Sequence, residues 1–116
     1  MPTVTNNLNS YVKSVTSATT AGVLPIDVPS GTDIVITGLI VSNTYTDKIT
    51  VNVKMMRSST QYFILRSSPI SVGESQFVIG WDQKVVLKPG DNIVVQTTVA
   101  GQTADVVMST LEITTT

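Results

Sequence analysis

KITVNVKMMR, residues Lys48 to Arg57, decides the fold class. Ile49, Val51, Val53 and Met55 fall on one face of an extended chain, and Thr50, Asn52 and Lys54 on the other. A period of two marks a strand with one buried face, whereas a helix would repeat near 3.6. Working upstream, Asp33 to Asn43 (DIVITGLIVSN) is the strongest strand. Ile34 and Ile36, then Leu39 and Val41, alternate with Val35, Thr37, Ile40 and Ser42. The phase changes across Gly38, which predicts a bulge or a close crossing there. Downstream, Ser58-Ser59-Thr60 turns the chain into Gln61 to Arg66 (QYFILR), which carries apolar residues on both faces.

The flanks read the same way. Met1 to about Ser10 is polar and reads as an arm or loose terminus, followed by a weak edge strand at Tyr11 to Val15. Val23 to Val28 suits an edge strand, because Pro25 removes a backbone donor. Pro29-Ser30-Gly31-Thr32 is a turn by composition. Ser67 to Glu74 reads as a longer connection with proline and glycine punctuation. Ser75 to Gly80 and Lys84 to Leu87 are short strands. Lys88-Pro89-Gly90-Asp91 is a tight turn with Pro89 and Gly90 central, and Lys88 and Asp91 flank it as a surface ion pair of little energetic value. Asn92 to Val99 and Ala104 to Thr114 complete the set. In the last strand Val106 and Met108 share one phase while Leu111 and Ile113 share the other, which places a bulge near Ser109.

Strands at this spacing, without a convincing helix, specify an all-β fold: a single antiparallel β-sandwich of about eight strands, jelly-roll or immunoglobulin-like Greek key. At 116 residues there is room for one such domain. The division expected is residues 1–22 as an N-terminal arm with an edge strand, and 23–116 as the sandwich. Abundant valine, isoleucine and threonine agree with a pleated surface.

The composition excludes several kinds of chemistry. The sequence holds no cysteine and no histidine. Disulfides, thiol catalysis, the usual zinc sites and a histidine base are therefore ruled out. Seven basic residues against eight acidic ones, scattered along the chain, provide no patch for nucleic acid. No apolar run approaches the roughly 20 residues of a membrane helix, and MPTVTNNLNS lacks the pattern of a secretory signal. Neither phosphate-cradle motif is present. Most of the acidic residues sit in or beside turns, where aspartate is expected for local backbone hydrogen bonds. Asp91-Asn92 and Asn43 to Asp47 offer oxygens for calcium, but neither matches a calcium loop, and the turn reading is favoured. The expectation is a noncatalytic protein with no cofactor and no metal.

One group of side chains suggests recognition. Trp81, the only tryptophan, is followed by Asp82 and Gln83, and Tyr11, Tyr45 and Tyr62 are the other polar aromatics. A sugar stacks on an exposed ring and is held by flanking acids and amides. A lone tryptophan in a small β protein is more often core or interface. Trp81, Asp82, Gln83, Tyr45 and Tyr62 are accordingly candidate partner or glycan contacts.

Three stretches together resemble a known group. Val28-Pro29-Ser30-Gly31-Thr32 leads to Ile36-Thr37-Gly38-Leu39-Ile40-Val41-Ser42-Asn43; Asp82 to Asp91 reads DQKVVLKPGD; and Ala104 to Ile113 reads ADVVMSTLEI. This resembles short virion structural proteins of tailed bacteriophages, over about Gly22 to Ile113. The resemblance implies a noncatalytic β-sandwich subunit, located on the virion, that decorates or cements the capsid or forms part of the neck or tail. Its implied partners are other virion proteins and copies of itself, with a trimer expected, and the N-terminal segment would lie as an arm on a neighbouring subunit. A carbohydrate-binding or host-adhesion module is the alternative.

Overall fold

The computed structural model describes residues 3–24, 28–80 and 82–115. Alternation becomes eight strands: β1 (Val4–Thr16), β2 (Thr32–Asn43), β3 (Ile49–Arg57), β4 (Thr60–Ile70), β5 (Ser75–Ile79), β6 (Val85–Leu87), β7 (Asn92–Thr97) and β8 (Thr103–Thr115). All pairing is antiparallel. One sheet runs β1-β8-β2-β5, with β6 also paired to β2, and the other runs β4-β3-β7.

This order selects the jelly roll over the immunoglobulin-like alternative. The chain crosses between sheets after β2, β4, β6 and β7, and its first and last strands lie side by side. The segment before β2 runs along the free side of β7. The Val23 N–H donates to the Ile93 carbonyl (2.6 Å), the Val28 N–H to Asp91 O (3.2 Å), and the Gly90 N–H returns to Val28 O (2.8 Å). An edge strand was expected over Val23 to Val28; the described part makes only these irregular edge contacts, and Pro25, Ile26 and Asp27 lie outside the described residues.

The core lies between the sheets. Ile34, Ile36, Leu39 and Val41 of β2 and Val106 and Met108 of β8 meet Ile49, Val51 and Val53 of β3 and Ile93 and Val95 of β7, all buried. The phase change in β2 is a bulge: Ile36 pairs with Thr110 and Gly38 with Ser109, leaving Thr37 as the extra residue. Two apolar pairs of opposite phase, Ile34/Ile36 and Leu39/Val41, thereby reach the same core. The bulge expected near Ser109 of β8 is absent from β8 itself. That strand pairs with β1 in unbroken register from Thr103 to Thr115, and Thr110 continues the buried phase of Val106 and Met108. Leu111 and Ile113 are out of phase because they point away from the core.

Two boundaries also differ. β1 begins at Val4, well before the alternation of Tyr11 to Val15, because β8 supplies a backbone partner for every residue to Thr16. β4 continues through Pro69 to Ile70, where a connection was expected. Pro69 is tolerated on an edge strand, and at the positive-φ Ser67 the backbone N–H donates to Asn52 Oδ1 (2.7 Å). The Lys88–Asp91 turn is as expected: Asp91 N–H donates to Lys88 O (2.9 Å) and Gly90 has φ +87, the type II arrangement with Pro89 before it.

Candidate interaction surface

The polar side chains are mostly committed to holding loops. Asp91 is buried, not a surface partner of Lys88. The Arg57 Nε and Nη2 donate to its carboxylate (3.0 and 2.6 Å), as does the Lys88 backbone N–H (2.8 Å). The Arg57 guanidinium holds the Asp91 carboxyl below its ordinary range, while the Lys88 side chain turns to Asp33 (3.1 Å). Asn43 is spent on its own loop: its amide donates to Asp47 O (2.9 Å) and Ile70 O (3.1 Å), and its oxygen accepts from the Tyr45 N–H (2.7 Å). The two loops considered for calcium are thus internally bonded at these groups. Among the described residues no cluster of acids assembles.

Tyr11 sits on β1 opposite Met108, and Glu112, four residues further along β8, accepts from its hydroxyl and from Asn9 Nδ2 (3.1 Å). Burial, reinforced by the Glu112 bond, pushes the Tyr11 phenol up to about 12. Over a hundred residues separate these partners in sequence, so no local pattern could have announced them.

The recognition candidates do not converge. Trp81 lies outside the described residues. Asp82 and Gln83 are exposed and line a hollow of about 490 Å³ with Thr37, Ile40, Phe77 and Ile79. Tyr45 belongs to the loop between β2 and β3 and does not line that hollow; Tyr62 is on β4 of the other sheet, opposite Met55. Sequence reasoning missed Phe77, whose ring is 70% exposed in β5. Its signal was the alternation of SQFVI, which opposes Phe77 to the phase of Ile79 only once the bulge opposite Leu39 and Ile40 is known.

The larger feature is the outer face of the five-stranded sheet. Register and alternation align apolar side chains into two rungs. Val12 stands beside Val107, Ile40 and Phe77; Leu8 stands beside Leu111, Val35 and Val86. Leu8 is 82% exposed and Val12 74%. Between the rungs lies a row of small residues, Ser10, Ser109 and Gly38. The outer face of the other sheet differs: there Lys54 and Arg66 sit over the Phe63 ring at 5.9 and 5.1 Å.

The chain matches no protein-family model and no curated protein sequence. Among solved structures it is similar to a subunit of the Bacillus endospore appendages, described as a novel family of disulfide-linked pili (TM-score 0.51, 15% identity, 98% of this chain and 90% of that chain). It is also similar to a chain of the infectious bursal disease virus VP2 subviral particle (TM-score 0.47, 13% identity, 97% of this chain) and to one of the Gx strain of that virus (0.46, 12%, 98%). It spans 32% and 33% of those viral chains. The likeness is one of fold.

Proposed function

We propose that this chain is a noncatalytic structural subunit of a tailed-phage virion, one that decorates or cements the capsid or forms part of the neck or tail. The observation that carries the reading is β1. It is a 13-residue strand at the end of its sheet, and among the described residues no strand pairs with its other side. Isolated proteins blunt such edges with lysine, proline or brevity, and a long open edge serves repeated contacts. β1 has one charged residue, Lys13. The sequence resemblance to phage virion proteins supplies the particle. The fold is shared with an endospore appendage protein whose relatives form disulfide-linked pili; the present sequence has no cysteine, so its contacts would be noncovalent.

The test is co-sedimentation of the purified chain with virions or capsid protein. Binding that is lost on deleting Met1 to Ser10 is the expected result. A chain that stays monomeric and shows no affinity for virions or capsid protein overturns the reading, and unchanged incorporation of the deletion rules out the N-terminal strand as the contact.

The hollow at Asp82 and Gln83 favours a second reading, a carbohydrate-binding or adhesion module, because the exposed Phe77 ring stands beside an acid and an amide. Trp81, next to Asp82 in sequence, would be the accessory contact, and Tyr45 and Tyr62 would take no part in this site. Specific binding on a glycan array, abolished by Phe77→Ala or Trp81→Ala, would establish it.

A further inference from the structure

We propose that the outer face of the five-stranded sheet seats a second copy of this chain, face against face. The proposal rests on the reading of the chain as an assembly subunit and assigns one of its contacts.

From Asn6 to Asn9 of β1 and Thr110 to Ile113 of β8, polarity is inverted. The side chains continuing the core phase are polar there, Asn7, Asn9, Thr110 and Glu112, whereas those pointing outward are apolar, Leu8, Leu111 and Ile113, apart from Asn6 beside Ile113. A strand facing only water needs no such outward stripe. The stripe is continuous with the rungs across β2 to Phe77 and Val86, so the apolar surface spans the sheet.

Size and charge identify the occupant. With strands about 4.8 Å apart and about 3.3 Å of rise per residue, four strands by ten residues cover roughly 600 Å² in projection. That face, apolar rungs and small-residue trough together, approaches the about 800 Å² per partner of a specific interface and lies at the top of the range of patches on ordinary monomers. No rung residue is charged, as the centre of an interface requires. Charges lie at the margins, Asp105 at one end, the Asp33–Lys88 pair at the other, and Asp82 in the hollow beside Ile40 and Phe77. A net charge of −1 opposes self-association very little. The relief is also self-complementary. Two ridges about 13 Å apart, four residues along a strand, flank a trough of serine and glycine. A two-fold axis places a ridge of each copy in the trough of the other, an isologous contact. On the outer face of the three-stranded sheet, by contrast, Lys54 and Arg66 place charge over the Phe63 ring.

The experiment is sedimentation equilibrium on the full chain and on Leu8→Glu/Val107→Glu, with circular dichroism to verify folding. Both positions are exposed, so the fold should survive. The expected result is a wild-type dimer and a rise of about 100-fold or more in dissociation constant for the variant. Mixing it with Leu8→Lys/Val107→Lys should restore a heterodimer, which also answers any doubt about folding. Wild type and variant with the same oligomeric state, or a mixture that fails to associate, overturns the face as the contact while leaving the assembly reading intact. A monomeric wild type that still binds capsid protein through this face overturns the self-contact and gives the face to that partner. A monomer with no such affinity removes both readings.

Discussion

Asp91 shows how a residue's role is set by a distant partner. In the sequence it closes a turn beside Lys88, and a weak surface pair follows from adjacency. In the fold Arg57, at the end of β3, reaches it across the sandwich edge with two nitrogens. The carboxylate also accepts the Lys88 N–H, so it joins turn and strand. Asp91→Ala should destabilise the protein by about 2 kcal/mol, measured by urea unfolding, because it leaves that N–H without its acceptor. The pH dependence has a definite sign. The carboxyl is held below its ordinary value of 3.8 in the folded chain. Its contribution is therefore complete above that value and is lost as pH falls through the depressed folded value. The melting temperature of the wild type should drop below about pH 4, and Asp91→Asn should flatten that drop. A variant retaining the full acid limb would show that other carboxylates cause it.

At the scale of elements, the β3–β4 hairpin carries local strain. Ser58 and Ser59 form its two-residue loop between the paired Arg57 and Thr60, with φ 50 and 65. Positive φ at both central residues is the type I′ geometry, which asparagine and glycine adopt more readily than serine. Ser58→Asn/Ser59→Gly should stabilise the fold by about 1 kcal/mol, read as a higher urea midpoint at unchanged slope. The same scale shows what alternation can and cannot tell. The break at Gly38 was legible, because Leu39 and Val41 could join Ile34 and Ile36 in one core only through an extra residue. The apparent break at Ser109 had the same look and a different cause: Leu111 and Ile113 simply face outward. A phase change says only that the apolar positions switch parity, and the neighbouring strand's register says whether an extra residue keeps them on one face or they move to the other.

For the whole molecule, the inner and outer faces of the five-stranded sheet should behave oppositely. Met108→Ala removes a fully buried side chain between the sheets and should cost about 3 kcal/mol. Leu8→Ala, on the outer face, should change monomer stability by less than about 0.5 kcal/mol. Urea unfolding at a concentration below dimer formation checks both, and a large loss for Leu8→Ala would mean that the outer face is covered within the monomer. The sequence by itself determined the class: period-two alternation, punctuated by turns, leaves only antiparallel sheets, and missing histidine and cysteine remove whole chemistries. It also located most strands, because each strand's buried face is written into its own residues. Only the tertiary structure decided the jelly-roll order, the pairing of Asp91 with Arg57 and of Tyr11 with Glu112, and the gathering of Leu8, Val12, Val35, Ile40, Phe77 and Val107 onto one surface. Each depends on which strand lies beside which, and strand neighbourhood comes from backbone hydrogen bonds that every residue type except proline can make alike.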